Sequence, residues 1–165
     1  MKKSLTTAKI LWFNKGVRQA NEGRYDKAIA CFDRVLEIDP RDADGWLHKA
    51  NSLVHLDRLE EALACYDHCL DSSPQNTEAW GNKGYSLFRL KRYSEAIDCL
   101  DQSVKYNPLE EAAWYNKGLA EYALGHKEEA DRCFRQSLVI AQPEIGWLVR
   151  NGGQIPEEPG IIPNP

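Results

Sequence analysis

The stretch that decides the fold is residues 12–40, WFNKGVRQANEGRYDKAIACFDRVLEIDP. Its outline returns three more times along the 165-residue chain, each time after the same interval. Four residue types keep this interval in four columns: Trp12, Trp46, Trp80 and Trp114; Lys15, Lys49, Lys83 and Lys117; Ala28, Ala62, Ala96 and Ala130; Cys31, Cys65, Cys99 and Cys133. This interval is the distance along the chain from Trp12 to Trp46. A constant interval of this length is the signature of a repeat architecture. The chain therefore divides into a lead-in at 1–8, four repeats at 9–42, 43–76, 77–110 and 111–144, and a C-terminal segment at 145–165.

Inside each repeat the apolar residues follow a helical spacing. The third repeat carries one stripe at Trp80, Gly84, Leu87 and Leu90 and a second at Tyr93, Ala96, Ile97, Leu100 and Val104. Steps of three and four positions place such side chains on one helix face. Asn107-Pro108 ends the second helix, because proline disfavours helix in the residue before it. Each repeat is therefore predicted to be an antiparallel helix pair. Small residues of the first helix are expected to face alanines of the second: Gly16, Ala50, Gly84 and Gly118 against Ala28, Ala62, Ala96 and Ala130.

Composition and charge exclude several classes of function. The formal net charge of -4 disfavours a nucleic-acid-binding surface, which needs a basic stripe to neutralise phosphates. Apolar runs are short, as at 28–32, whereas a membrane span needs about 20 residues. The apolar stretch 10–13 is too short for the core of a signal peptide. We therefore expect no nucleic-acid partner, no membrane association and a cytoplasmic location.

A helix pair that recurs at this period, with Trp, Gly, Tyr, Ala, Phe and Pro at these offsets, resembles the tetratricopeptide repeat family. The four repeats span positions 9–144 of the chain, and the resemblance implies an all-α, right-handed superhelical solenoid of four helix-turn-helix units. The sequence departs from the family pattern at the lysine column, where leucine is usual. It also departs at four single positions, which are Gln19, Glu121, Lys127 and Pro143.

In this family the first helices line a concave groove that holds a peptide or a helix of a partner. The resemblance assigns that role to the following positions: Phe13, Val17 and Asn21; Leu47, Asn51, Val54 and His55; Tyr85, Phe88 and Arg89; Tyr115, Leu119 and Tyr122. Most of these residues are apolar or aromatic, which predicts a groove for a largely apolar segment of another protein. The best contacts are expected at Tyr85, Phe88, Tyr115 and Leu119, with Asn51 and Arg89 fixing the polar register. The alternative is that several of these side chains pack between adjacent repeats.

Chaperone-binding members of the family clamp a terminal carboxylate with lysine, arginine and asparagine. The corresponding positions here hold Phe13, Val17, Glu78 and Asn82. Glu78 has the wrong charge for that ligand, so an acidic C-terminal peptide is disfavoured.

The lysine column allows two interpretations. It could form a basic stripe for an acidic partner. Alternatively, the stems cover the apolar seam, the ammonium groups reach water, and aspartates neutralise them across the helix pair. The second interpretation is favoured because three aspartates, Asp33, Asp67 and Asp101, recur at the same interval as the lysines and because surface ion pairs of this kind are common.

Nothing in the sequence predicts catalysis, a metal or another cofactor. The five cysteines are odd in number, which predicts reduced, half-buried thiols that pack as small apolar groups. Cys65, His68 and Cys69 come nearest to a ligand set, but His68 is offset by about 100° from Cys69 around a helix. The motifs of nucleophile elbows, phosphate loops and zinc proteases are missing from the sequence.

The C-terminal segment carries two further predictions. Pro143 suits the first position of a helix and Gly152 its end, so 143–151 is predicted to be a short capping helix. The proline-rich stretch beyond Gly153 is predicted to be extended. It is either a loose terminus or a segment whose Ile161-Ile162 folds back into its own or a neighbour's groove. The alternative to an interaction scaffold is accordingly a structural subunit that self-associates through its ends or this tail.

Overall fold

A computed structural model describes residues 2–142, with side chains from Leu5 onward. These residues form eight α-helices and no strand: α1 Lys2–Asn21, α2 Tyr25–Ile38, α3 Ala43–His55, α4 Leu59–Ser72, α5 Thr77–Arg89, α6 Tyr93–Tyr106, α7 Glu111–Ala123 and α8 Lys127–Ala141. Helices α1 and α2, α3 and α4, α5 and α6, and α7 and α8 pack as four pairs, and each pair packs on the next. The predicted all-α repeat solenoid is confirmed.

Helix α1 is longer than the other first helices. It begins at Lys2 and has 20 residues, whereas α3, α5 and α7 have 13 each. The predicted lead-in at 1–8 therefore belongs mostly to a helix. The predicted capping helix at 143–151 and the extended tail lie outside the described residues.

The first helices form the inner layer of the solenoid. Helix α1 approaches α3, α3 approaches α5, and α5 approaches α7. Within residues 2–142, no second helix approaches another second helix. Helices α2, α4 and α6 pack instead against the first helix of the following repeat. The first helices therefore lie on the inside of the curve and present the concave face.

At Gly16, Gly84 and Gly118 the closest neighbour across the helix pair is a large side chain of the second helix. A Cβ atom added at Gly16 or Gly118 would lie 2.6 Å from a ring atom of Phe32 or Phe134. At Gly84 it would lie 2.6 Å from Cγ of Leu100 and 3.1 Å from the carbonyl oxygen of Ala96. The expected approach of glycine to alanine is present at Gly84, where the Ala96 carbonyl is a close neighbour. The glycine allows the side chain one turn beyond the alanine to enter the space between the two helices.

The turn inside each repeat needs a residue with positive φ. Gly23 and Gly125 occupy this position in the outer repeats, with φ of 73° and 85°. Asp57 and Lys91 occupy it in the inner repeats, with φ of 60° and 61°. Left-handed backbone is strained for a residue that has a Cβ atom, so the two inner turns carry strain that the outer turns avoid.

Two of the departures from the family pattern are buried polar side chains that find a partner in this turn. Gln19 and Glu121 are each 8% exposed. Nε of Arg24 donates to Oε1 of Gln19 at 2.9 Å, and Nδ1 of His126 lies 2.8 Å from Oε2 of Glu121. A polar side chain is tolerated at this buried position because the residue five places later reaches back to it.

Candidate interaction surface

Three of the predicted groove residues are exposed tyrosines on first helices. Tyr85 on α5 is 39% exposed, and Tyr115 and Tyr122 on α7 are 48% and 64% exposed. The ring of Tyr115 rests on Phe134, with 5.6 Å between the ring centroids. These rings offer apolar area together with a hydroxyl group, the combination enriched in protein interfaces.

The aliphatic and phenylalanine members of the predicted groove are largely used in packing. Leu47 is 5% exposed and belongs to the core, so its side chain is not available on the concave face. The ring of Phe13 packs edge-on against His48 of the next repeat at 5.1 Å between centroids. Phe88 packs against Tyr93, and Val54 packs against the core cluster of the second repeat. Val17 and Leu119 are half-buried. For these residues, packing between helices is the main role.

The polar members of the predicted groove bind each other or their neighbours. Oδ1 of Asn51 accepts from the Tyr66 hydroxyl at 2.7 Å and from Nδ2 of Asn82 at 3.0 Å. Nδ2 of Asn51 donates to Oε1 of Glu78 at 3.1 Å. This network joins α3, α4 and α5, so it fixes how the second and third repeats meet on the concave side. Burial also raises the pKa of Tyr66 well above its ordinary value, which keeps its hydroxyl available as a donor.

Arg89 and His55 also have intramolecular partners. Nη2 of Arg89 lies 2.5 Å from Oδ1 of Asp57 in the preceding repeat, and the guanidinium lies over the ring of Tyr85. The exposed ring of His55 stacks on Tyr25 with 4.4 Å between centroids. Neither residue is therefore a free group on the concave face.

A cleft between α5 and α7 was not predicted from the sequence. Its lining includes Thr77, Glu78, Gly81, Asn82, Ala113 and Asn116. Gly81 occupies the column that holds Phe13, Leu47 and Tyr115 in the other repeats. Gly81 contributes no side chain to this cleft, and the break in an otherwise apolar column is the sequence signal for it.

Three of the four lysines in the lysine column are neutralised by aspartates of the preceding repeat. Nζ of Lys49 lies 2.7 Å from Asp33, and Nζ of Lys83 lies 2.5 Å from Asp67. The fourth lysine of the column repeats this contact, with 2.5 Å between Lys117 and Asp101. The interpretation that aspartates neutralise these lysines is confirmed, but each pair joins two neighbouring repeats rather than the two helices of one repeat. Each of the four lysines also lies over the tryptophan three positions before it.

The cysteines are fully rather than half buried. All five are free thiols in the interior. Burial raises the pKa of Cys65, Cys69 and Cys99 to about 11, so these sulfurs stay protonated near neutral pH. Among residues 2–142, no cluster of three or more His, Cys, Asp or Glu side chains is placed to hold a metal ion.

These features define a helical-repeat solenoid with an aromatic and polar concave face, the architecture of a protein-interaction module. Two family models described as tetratricopeptide repeat match the chain, one at residues 17–80 and the other at 60–103 and 82–131. The chain belongs to the tetratricopeptide repeat family. No curated protein sequence matches it significantly.

Solved structures share the fold at low sequence identity. A crystal structure of MamA superposes with a TM-score of 0.80 at 17% identity, covering 88% of this chain and 86% of that one. MamA from Desulfovibrio magneticus RS-1 gives 0.77 at 21% identity, with the same coverage of 88% and 86%. The first TPR of Spaghetti (RPAP3), bound to the HSP90 peptide SRMEEVD, gives 0.70 at 20% identity and covers 72% of this chain and 97% of that one. In the described part of the chain, none of the helices has the length and apolar character needed to cross a bilayer.

Proposed function

We propose that this protein is a non-catalytic scaffold that binds a segment of another protein on the concave face of the third and fourth repeats. The observation that carries the proposal is the exposure of Tyr85, Tyr115 and Tyr122 on adjacent first helices. Aromatic rings on a rigid helical frame bury a large area at low entropic cost and are the residues that dominate interface energies. An affinity of about 1 μM, or about -8 kcal/mol, is expected for one exposed segment.

The segment is expected to be largely apolar or neutral. Glu78 places a carboxylate on the concave face, and Arg89 is already paired with Asp57. The Spaghetti domain binds the acidic peptide SRMEEVD. On this chain Phe13 and Val17 occupy the clamp columns of the first repeat. A terminal carboxylate bound here would therefore be repelled by Glu78, at a position where a clamp needs a cation.

The test is affinity capture from native lysate followed by mass spectrometry. The double variant Tyr85→Ala/Tyr122→Ala is compared with wild type and with Tyr106→Ala, whose ring on α6 is also exposed, at 37%. A protein retained by wild type and by Tyr106→Ala but lost by the double variant supports the proposal. Its binding segment is then measured by calorimetry. Identical lists from all three baits contradict it.

The alternative proposal, a subunit that self-associates through its ends or its tail, predicts a mass that rises with concentration. Helix α8 disfavours stacking of one copy on the next. Asp131 and Arg135 stand where the first three repeats have an aliphatic residue and an aspartate at their junctions. Sedimentation velocity over a range of concentrations separates the two proposals, because a monomer at all concentrations excludes self-assembly.

A further inference from the structure

Each internal junction between repeats is built from the same three side chains. A second helix supplies an aliphatic residue and, four positions later, an aspartate, and the next first helix supplies the lysine. The aliphatic and acidic pairs are Ile29 and Asp33, Leu63 and Asp67, and Ile97 and Asp101. At the third repeat, Leu63 and Asp67 line one cleft together with Lys83 and Cys99. Each junction therefore includes one apolar contact and one ion pair that are both made by one turn of the second helix.

The first repeat has the equivalent cleft, and none of the helices described in residues 2–142 packs over it as α4 does over the third repeat. Its lining includes Trp12, Lys15, Lys27, Cys31 and Arg34, and all of its charged side chains are basic. In contrast to the other three lysines, Lys15 makes no ion pair with any of residues 5–142. Its Nζ lies 4.7 Å from the centroid of the Trp12 ring.

Acidic side chains border the third-repeat cleft, and the first repeat has other residues at the equivalent positions. Glu95 and Asp98 line the third-repeat cleft, and Lys27 and Ala30 take their columns in the first repeat. Arg34 is paired with Glu37 at 2.5 Å, so Lys15 and Lys27 carry the excess of positive charge at the position where the junctions supply a carboxylate.

The face of α1 at the end of the stack provides an apolar contact beside these charges. Leu11 is 65% exposed. Its column is small and buried in the other repeats, with Gly45, Ala79 and Ala113. Arg18 likewise replaces the buried residues Ser52, Ser86 and Ala120. A complete repeat cannot approach α1 as closely as the internal repeats approach each other, because Leu11 and Arg18 intervene. A single helix lying farther from the α1 axis can pack on Leu11 and still reach Lys15.

This chain does not itself offer a suitable free helix in the described residues. The aliphatic and acidic pairs of α2, α4 and α6 are used at internal junctions. On α8 the same two columns hold Asp131 and Arg135, which are joined by a 2.7 Å ion pair. An arginine opposite Lys15 would repel it, so a second copy is a poor occupant.

We propose that the end of the first repeat, defined by Leu11, Trp12, Lys15, Lys27 and Arg34 and called here the α1 end surface, docks an amphipathic helix of a partner protein. That helix carries an aliphatic residue and a carboxylate four positions later. The aliphatic side chain packs on Leu11, and the carboxylate pairs with Lys15 as Asp67 pairs with Lys83. This surface is separate from the concave face, so it extends the proposed function to a second binding surface.

The probe is a helix-constrained peptide with the sequence of residues 59–72, in which serine replaces both cysteines. It contains Leu63 and Asp67, the pair that fills the equivalent cleft inside the stack. The peptide is titrated into the isotope-labelled full chain and followed by NMR. We expect amide shifts at Leu11, Lys15 and Lys27 and at the Trp12 indole.

Charge variants decide the outcome. Lys15→Glu is expected to weaken binding by about tenfold, and a peptide carrying Asp67→Lys is expected to restore it on that variant. Lys105→Glu, a charge reversal on α6, serves as the matched control and leaves binding unchanged. The proposal is overturned if the peptide does not bind, if its shifts fall on Tyr85 and Tyr115 instead, or if Lys15→Glu binds it as well as wild type.

Discussion

The indole Nε1 of Trp80 donates a hydrogen bond of 2.9 Å to the carbonyl oxygen of Pro74, six positions earlier. The tryptophans of the second and fourth repeats do the same toward Pro40 and Pro108, also at 2.9 Å. The bond ties the turn between two repeats to the first helix of the following repeat. Tryptophan therefore recurs at this position for its hydrogen bond as well as for packing, because phenylalanine fills a similar space but has no N–H donor.

Replacing Trp80 by phenylalanine is expected to lower the free energy of unfolding by about 1–2 kcal/mol, since it removes a hydrogen bond and some buried area. Urea unfolding followed by circular dichroism measures the change. Trp12→Phe is the control, because the Trp12 indole has no proline carbonyl partner in the described residues. Equal losses in the two variants would show that ring size alone is responsible.

Two glycines of the same helix are expected to respond in opposite directions to alanine. At Gly84 the new methyl group meets Cγ of Leu100 at 2.6 Å, so Gly84→Ala is expected to cost about 1–3 kcal/mol. At Gly81 the nearest atom is Oγ of Ser103 at 3.4 Å, an ordinary contact. Gly81→Ala is therefore expected to stabilise the fold by about 0.5–1 kcal/mol through helix propensity. The thermal midpoints of both variants test this, and a stabilised Gly84→Ala would contradict the packing described.

The strained inner turn offers a stabilising substitution. Lys91→Gly is expected to raise the free energy of unfolding by about 1 kcal/mol, because φ at this residue is 61°. Gly125→Ala is the reciprocal variant and is expected to lose a similar amount. A Cβ atom at Gly125 meets nothing within 4 Å, so that loss would reflect backbone strain alone. Chemical denaturation of both variants gives the comparison.

The thiols are expected to be unreactive in the folded protein. With a pKa of about 11 for Cys65, Cys69 and Cys99, about 0.1% of each is thiolate at about pH 8. Modification by an aromatic disulfide reagent should therefore be slow in buffer and fast in denaturant, where all five thiols react. A thiol that reacts at once in the native protein would show that its site is open to solvent.

The same thiols make stability depend on pH. Burial raises their pKa from 9.0 to about 11, so the unfolded chain loses these protons first as the pH rises. The stabilisation is complete below about pH 9 and is lost as the pH rises toward 11. The urea midpoint is thus expected to fall between about pH 8 and about pH 10. Cys99→Ala measured over the same range should show a smaller fall, and an identical fall would assign the effect to other groups.

The sequence predicted the repeats because the same structural requirement recurs in every repeat and keeps the same residue type at the same position. Gly84 must leave room for Leu100, and Trp80 must reach the carbonyl of Pro74. Such constraints lie within one helix pair and its turn, so the period of the sequence displays them. The exposure of concave residues was not predictable in the same way. Phe13 is covered by His48 of the next repeat, and periodicity gives the face of a helix but not what lies on it.

The pairing of charges shows the same limit. The parallel recurrence of Asp67 and Lys83 with their equivalents was correctly interpreted as neutralisation. The sequence did not decide whether the contact lies within one repeat or between two, because both residues recur with the same period. The cleft at Gly81 depends on the space that α5 and α7 leave between them, which the period of the sequence does not show.

The layering of the helices has a mechanical consequence. Neighbouring first helices approach each other along the inner edge, whereas second helices in residues 2–142 remain apart along the outer edge. A tighter curve spreads the outer edge, where no second helices touch, and presses α1, α3, α5 and α7 together along the inner edge. Tightening is therefore limited by contacts that the first helices already make, and straightening loses those same contacts, so the first helices set the curvature of the solenoid.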